Sequence, residues 1–569
     1  MFSRPDNVLA NVIANRAEAL PDFGVLTVEG GGVRADEVRT YRELWDNGQR
    51  LARVLIDQGL EPGEHFALLM ANHAEFVEAM VAASIAGVVF VPIDPRTKGD
   101  KLRFMLDSAR CRVAIAADYA LDNLAGVRAA LPHLRSVIGL ATDESPRPLS
   151  EHPGVHPLHR LLPSELPQLP IRATDPDGPM QLIFTSGTTG DPKAIVMTHR
   201  RYCDTSAAVW KLFGYRKDDR PYSGLSLTHA NAQIVTLGAA LIGGLPVVLS
   251  RRFTKSRLWD ITRRYGCTTF TLLGGMTTAI YSEPRRPDDA DNPVRLVVSA
   301  GMPAAIWEDF ERRFGVDIVE FYGAAEGGLT VNPVGAGPVG SIGKCVPTLK
   351  YRIVDDEGRD CAPGVPGELL FRHANGAPFK VEYFGNPEAS AAKCRDGWLH
   401  MGDVVHQDAD GWLHFDFRKG GGIRHNGEFV NPAFIEKVIA ECPEVDDVFV
   451  YGVPARSGAP GEKDVVAAVV PRPGAHFDPQ GAFRACRARL EAGLVPQYVQ
   501  VADAIPKTAS EKPQERFLLE AFNAEPQRVF SESQAQVGCR TSSPAPCPRA
   551  GVGAADRKVL CARITHTTR

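Results

Sequence analysis

Between Leu182 and His199 the chain reads LIFTSGTTGDPKAIVMTH, an apolar run opening into Thr185, Ser186, Gly187, Thr188, Thr189 and Gly190, with Asp191, Pro192 and Lys193 behind it. Consecutive small residues let backbone N–H groups converge on one concavity, which suits a polyanion. The hydroxyls and the Lys193 ammonium add donors for phosphate oxygens. The loop of P-loop nucleotidases is excluded, because Gly187 and Gly190 have the wrong spacing and no Gly-Lys-Ser/Thr follows. A plain surface turn would explain the composition, but not this set of donors placed directly after a buried strand. A phosphate site is expected.

Other residue types that do chemistry recur downstream. Phe321–Gly328 reads FYGAAEGG and holds Tyr322 and Glu326; GWLHMGDVV holds Asp403; RKGGGIRHNGE opens on Arg418; PKTASEKPQERF holds Lys512. Singly, Tyr322 and Glu326 read as a packed aromatic beside a surface carboxylate, Asp403 as a turn residue and Lys512 as a solvated charge. His229, in GLSLTHANA, reads alone as a satisfied core histidine. Gly274, Gly275 and Met276, with Gly301 and Met302, pair glycines with methionine, which suggests space and adaptability rather than a charge-reading pocket.

The elements that must position these residues follow from periodicity. Leu44–Gln58 has helical apolar spacing, and Phe76–Ile93 reads as a buried helix, a turn at Gly87 and a strand. Short apolar strands recur at Arg112–Ala117, Val137–Leu140, Leu182–Phe184, Pro246–Ser250, Thr268–Leu273 and Arg295–Ala300, which predicts α/β layers on largely parallel sheets. From Tyr351 the strands crowd together with turns at Glu357-Gly358, Asp396-Gly397 and Asp410-Gly411, which predicts antiparallel pairing. Gly420, Gly421 and Gly422 in a charged setting predict a flexible joint before a small α+β domain. Beyond about Ser531 the chain is rich in Ser, Thr, Ala, Pro and Arg and is expected to be disordered.

A chain of 569 residues needs at least two domains, and 44% hydrophobic with 23% charged residues is a globular composition. A net charge of −4 points to neither nucleic acid nor an anionic membrane. Eleven cysteines without paired spacing suggest reduced thiols and a cytoplasmic setting. The start, with Asp6, Glu18 and Asp22, is not expected to be a secretory signal, and no transmembrane segment is expected.

Together and in this order, the motifs resemble the acyl-adenylate-forming superfamily: acyl-CoA synthetases, firefly-type luciferases and adenylation domains of peptide synthetases. The resemblance runs over roughly residues 8 to 520, with Thr40-Tyr41, Pro62-Gly63, Asn72 and Val91-Pro92-Ile93 matching its N-terminal framework. It implies a large adenylation domain over 1–417, built of layered α/β sheets with an antiparallel, barrel-like portion. A small mobile domain follows over 418–525, and a tail over 526–569. It implies that Thr185–Lys193 grip phosphates, Tyr322 stacks on adenine with Gly323 beside it, and Glu326 holds Mg²⁺. Asp403 and Arg418 would take the ribose, Gly420 would be the hinge and Lys512 the catalytic lysine. His229, Gly274, Gly275, Met276 and Gly301 would line the acid pocket.

The activity so implied is ATP-dependent activation of a carboxylic acid, a small-molecule substrate of open chain length, then transfer to coenzyme A; the resemblance leaves oligomeric state open. A carrier-loading adenylation enzyme, a luciferase-type oxygenase and an inactive nucleotide-binding paralogue share the motifs. Ala194, Ala325, Gly420 and Glu511 depart from the family pattern. EKPQERF and GVPARSGAPGEK look most like the carnitine or crotonobetaine CoA ligase branch.

Overall fold

The computed structural model describes residues 5–531 apart from 6, 32–33, 143, 146, 186–190, 420–421, 426–427, 457–461 and 509–510. Ser186–Gly190 of the phosphate loop, the joint at Gly420 and Gly421, and the tail 532–569 therefore lie outside the described residues.

The phosphate-loop strand belongs to a seven-stranded sheet. Its order is Val155–Pro157, Ser136–Leu140, Val113–Ala117, His65–Leu69, Val89–Pro92, Pro179–Thr185, Lys193–Thr198, parallel until the last pair, which is antiparallel. Strands such as Val113–Ala117 are apolar without alternation because both faces of the sheet are covered. The helix Ala74–Ala86 is buried nearly all round and stops at Gly87, whose φ of 72° only glycine adopts freely. The helix expected from Leu44 begins earlier, at Tyr41, because Thr40 and Glu43 close a capping box.

The second large sheet is parallel through Gly24–Glu29, Val247–Ser250, Pro221–Ser223, Thr269–Leu273, Leu296–Ala300 and Asp317–Ala324. It turns antiparallel at Gly327–Asn332 and stays so through Ser341–Cys345, Leu413–Arg418, Trp398–Gln407, Gly367–His373 and Leu349–Val354. The change comes before Tyr351, where periodicity put it. The glycines of GGLTVNPVGAGPVGSIGK hide two strands that lie in backbone contact: a Cβ on Gly343 would fall 2.0 Å from the Val331 carbonyl carbon. At Asp396-Gly397 both φ values are positive, 52° and 77°, as a two-residue hairpin turn requires.

After Arg418 a four-stranded sheet forms from Val445–Pro454, Lys463–Pro471, Tyr498–Val501 and Val529–Ser531. The last strand pairs antiparallel with Tyr498–Val501, so residues 526–531, expected in the tail, continue the small domain. Three residues are too few to carry a period in the sequence. The buried clusters divide at the same place: three contain only residues up to 413, two only residues from 423 onward. Among the described residues no helix is long and apolar enough to cross a membrane, and the cysteines are free thiols.

Candidate active site

The segment expected to take phosphates joins two antiparallel strands, Pro179–Thr185 and Lys193–Thr198. Thr185 and Lys193 are the last cross-strand pair, and they flank the undescribed residues Ser186, Gly187, Thr188, Thr189 and Gly190. The Lys193 ammonium lies 5.5 Å from the centroid of the Tyr383 ring, a cation–π distance. Tyr383 bridges to Ile195 of the same hairpin, and its hydroxyl donates to Glu326 Oε1 at 2.9 Å. Burial, then the Glu326 carboxylate beside it, pushes the Tyr383 phenol above its ordinary value, so it stays a donor. Tyr383 thus ties the phosphate hairpin to the expected magnesium carboxylate. No spacing in the sequence singled it out.

Glu326 sits in the turn between Asp317–Ala324 and Gly327–Asn332, at the point where the sheet changes from parallel to antiparallel. Gly323 is required there, since a Cβ would come within 2.8 Å of the Gly328 carbonyl oxygen. The half-buried Arg201 donates to the Ala325 carbonyl and secures the turn from within. Ala325 therefore contributes its backbone where the family usually has a hydroxyl. Arg201 was also missed, because one arginine in a helix carries no signal.

On the other side, Asp403 and Arg418 are cross-strand partners in Trp398–Gln407 and Leu413–Arg418. The buried Asp403 accepts from the Tyr322 hydroxyl at 2.5 Å through Oδ2, and Oδ1 lies 3.5 Å from Arg418 Nε. Burial, with Asp403 adjacent, raises the Tyr322 phenol well above its ordinary value. Tyr322, Asp403 and Arg418 form one cluster.

Lys512 reaches this cluster from the small domain. Lys512 keeps a solvent-exposed face, yet Arg418, Asp403 and Glu326 act on its charge; desolvation by the surrounding protein first, then Arg418, lowers its pKa below the ordinary lysine value. Its loop is closed by Thr508 N–H donating to the Lys512 carbonyl at 2.9 Å and Lys512 N–H donating to Thr508 Oγ1 at 3.2 Å. Glu511, at the usual glycine position, has φ 58°: the left-handed turn is kept at a cost of about 1–2 kcal/mol. The Glu511 carbonyl would lie 3.0 Å from a Cβ on Gly275, so the lysine loop seats against a glycine of the large domain.

Gly274, Gly275 and Gly301 line a cavity of about 180 Å³ between the domains, with Phe449, Glu436 and Lys507 of the small domain on its far side. Met276, expected in the same wall, points into the large-domain core instead. His229 is half-buried, and its buried Nδ1 has no hydrogen-bond partner among the described residues. Burial, reinforced by the Lys512 charge, lowers it to about 4, so it is neutral at pH 7.

Behind Gly301 the wholly buried Glu320 accepts from the backbone N–H groups of Gly301 and Met302. Burial pushes its carboxyl up to about 8. The folded state then holds a proton that the unfolded state releases near pH 4.5, so stability falls as pH rises from there through about 8. Glu320→Gln, which cannot ionise but keeps only one oxygen to accept the two N–H groups, should flatten that slope while lowering stability where the carboxyl is protonated. Urea unfolding of both forms at pH 5 and pH 8 checks this; parallel slopes would show an ordinary carboxyl.

Residues 14–378 match the AMP-binding enzyme family model, and 435–512 match its C-terminal domain. A medium/long-chain-fatty-acid–CoA ligase of Mycobacterium marinum is 30% identical, over 84% of this chain and 90% of that one. A steroid-22-oyl-CoA synthetase of Rhodococcus jostii is also 30% identical, over 80% and 82%. The crystal structure of an anthranilate CoA ligase with anthranoyl-AMP superposes with a TM-score of 0.78 at 23% identity, covering 90% of this chain and 97% of that one, and so shares the fold. With both family domains matched in order around these clusters, the chain belongs to the AMP-binding enzyme family, the acyl-adenylate-forming superfamily that its motifs resemble.

Proposed function

We propose that this protein is an AMP-forming acyl-CoA synthetase that activates an apolar carboxylic acid with ATP and passes the acyl group to coenzyme A. The observation that carries the reading is the convergence of Asp403, Glu326 and Arg418 on Lys512 from the other domain. A carboxylate that accepts two bonds suits the ribose diol, and one beside a phosphate loop suits the metal–phosphate end. Glu326 is a single hard oxygen ligand, which fits Mg²⁺, an ion that keeps waters and takes its remaining ligands from substrate phosphates. When bound, Mg²⁺ would neutralise those phosphates.

In the first half-reaction a carboxylate oxygen bonds to the α-phosphorus while the bond to pyrophosphate breaks. Thr185 to Gly190 and Lys193 would hold the leaving pyrophosphate, Tyr322 the adenine, and Asp403 with Arg418 the ribose. Lys512 would offset charge on the carboxylate and α-phosphate. In the second, the coenzyme A sulfur bonds to the acyl carbon, AMP leaves with the carbonyl-to-phosphate oxygen, and the thiol proton passes to water. The small domain, 418 onward, would turn about Gly420 between the steps. On the large-domain side Gly274, Gly275 and Gly301, with neutral His229, present no charge, while Glu436, Asp447 and Lys507 face the cavity from the small domain, so an acid tail held against the large domain is favoured to be apolar. The free thiols favour a cytoplasmic setting.

The test is pyrophosphate release with a panel of fatty, steroid and aromatic acids, with and without coenzyme A. Acid-dependent release that ends in AMP and acyl-CoA is expected. No release with any acid from folded protein would overturn the reading, and release without thioester would exclude coenzyme A as acceptor.

A further inference from the structure

We propose that Lys393 is a second cation for the α-phosphate, one that stays on the large domain when Lys512 withdraws. The inference rests on the adenylate-forming reading of the site. Lys393 ends the short helix Pro387–Lys393, which is fastened to the site at its other end. Asn386 caps it by accepting from Ala389 N–H at 2.9 Å, and Tyr383 N–H donates to Ser390 Oγ at 2.9 Å. The same Tyr383 holds Glu326 through its hydroxyl. At the helix end Lys393 Nζ donates to the Met401 carbonyl at 3.2 Å, two residues before Asp403.

The ammonium is mostly buried, and the charges that act on it are Glu326, Arg418 and Asp403. These are the three that act on Lys512. By the proposed roles Asp403 takes the ribose and Glu326 the metal–phosphate end; the Lys393 helix is tied to Glu326 through Ser390 and Tyr383, and the ammonium bonds the carbonyl two residues before Asp403, so it stands between the two ends. That joint is the α-phosphate, present in ATP, in the acyl-adenylate and in departing AMP. Lys512 arrives on the small domain, whereas Lys393 shares the large-domain sheet region with Asp403 and cannot leave with it. Two lysines on one phosphate therefore differ in when they act: Lys512 in the first step, Lys393 in both.

Binding tests this without turnover. Lys393→Met, which keeps the aliphatic stem, should weaken AMP about tenfold or more by calorimetry, since one charge-assisted contact is lost, and leave adenosine unchanged. Lys393→Arg should restore most of the AMP affinity. In kinetics Lys393→Met should slow both adenylate formation and transfer from a synthetic acyl-adenylate to coenzyme A. Unchanged AMP affinity, an equal loss for AMP and adenosine, or no rescue by arginine would overturn the proposal and leave Lys393 as a brace for Met401. A wild-type protein that binds AMP through Lys393 yet makes no acyl-CoA would overturn the proposed function and keep this inference.

Discussion

Lys512→Ala should cut acyl-adenylate formation by about a hundredfold or more, the usual cost of losing a preorganised charge stabiliser. Transfer from a synthetic acyl-adenylate to coenzyme A should stay near the wild-type rate. The asymmetry follows from where the lysine is carried. It sits on a small-domain loop seated on Gly275, and several polar contacts help hold the domains in this arrangement. Lys255 bonds Asp446 at 2.9 Å, Lys437 donates to the Ala305 carbonyl at 2.6 Å, and Arg472 donates to the Ser282 carbonyl. Water can replace such bonds at little cost, as the proposed turn of the small domain between steps requires. The two half-reactions must be measured separately on one folded preparation, because the overall rate mixes them. If both fell together, the lysine would be structural or the domain would not turn. If neither fell, Lys512 would lose its assigned role.

How far the sequence disclosed this site depends on what each residue contributes. Lys512, Asp403, Glu326, Tyr322 and Arg418 read singly as ordinary residues and stood out only through the family resemblance of their segments, and the fold gathers them. Tyr383 and Arg201 did not, since each acts by packing between elements distant in the chain: Tyr383 across to Glu326, Arg201 onto the Ala325 carbonyl. Met276 misled for the opposite reason. Its glycine neighbours do line a cavity, but on a helix the next side chain points elsewhere, here into the core. Strands buried on both faces were legible as apolar runs. Glycine-rich Gly327–Asn332 and Ser341–Cys345 were not, because close backbone approach removed the side chains that carry a period. Glu511 shows a local rule giving way: the lysine turn keeps its left-handed residue with glutamate in place.

Asp403→Ala should raise the KM for ATP steeply, and the structure makes the expected loss larger than that of the ribose contacts alone. Two charge-assisted hydrogen bonds to a vicinal diol are worth roughly 3–6 kcal/mol, which corresponds to more than a hundredfold in affinity. Asp403 also accepts from Tyr322 and faces Arg418, so its removal leaves a half-buried phenol without its acceptor and a guanidinium without its counter-charge. The aromatic expected under adenine would then be free to move, which couples the base and ribose contacts. Asp403→Asn separates the two effects. Its amide oxygen still accepts from Tyr322, while the diol loses a charged acceptor, so it should fall between wild type and alanine. Tyr322→Phe, which keeps the ring and gives up only the anchoring hydroxyl, should cost less than either. ATP saturation curves for the three variants at fixed acid and coenzyme A give the ordering. Unchanged ATP kinetics in Asp403→Ala would remove the carboxylate from the nucleotide site. Equal losses in Asp403→Ala and Tyr322→Phe would mean that the carboxylate serves only to hold the ring, and that the ribose is bound elsewhere.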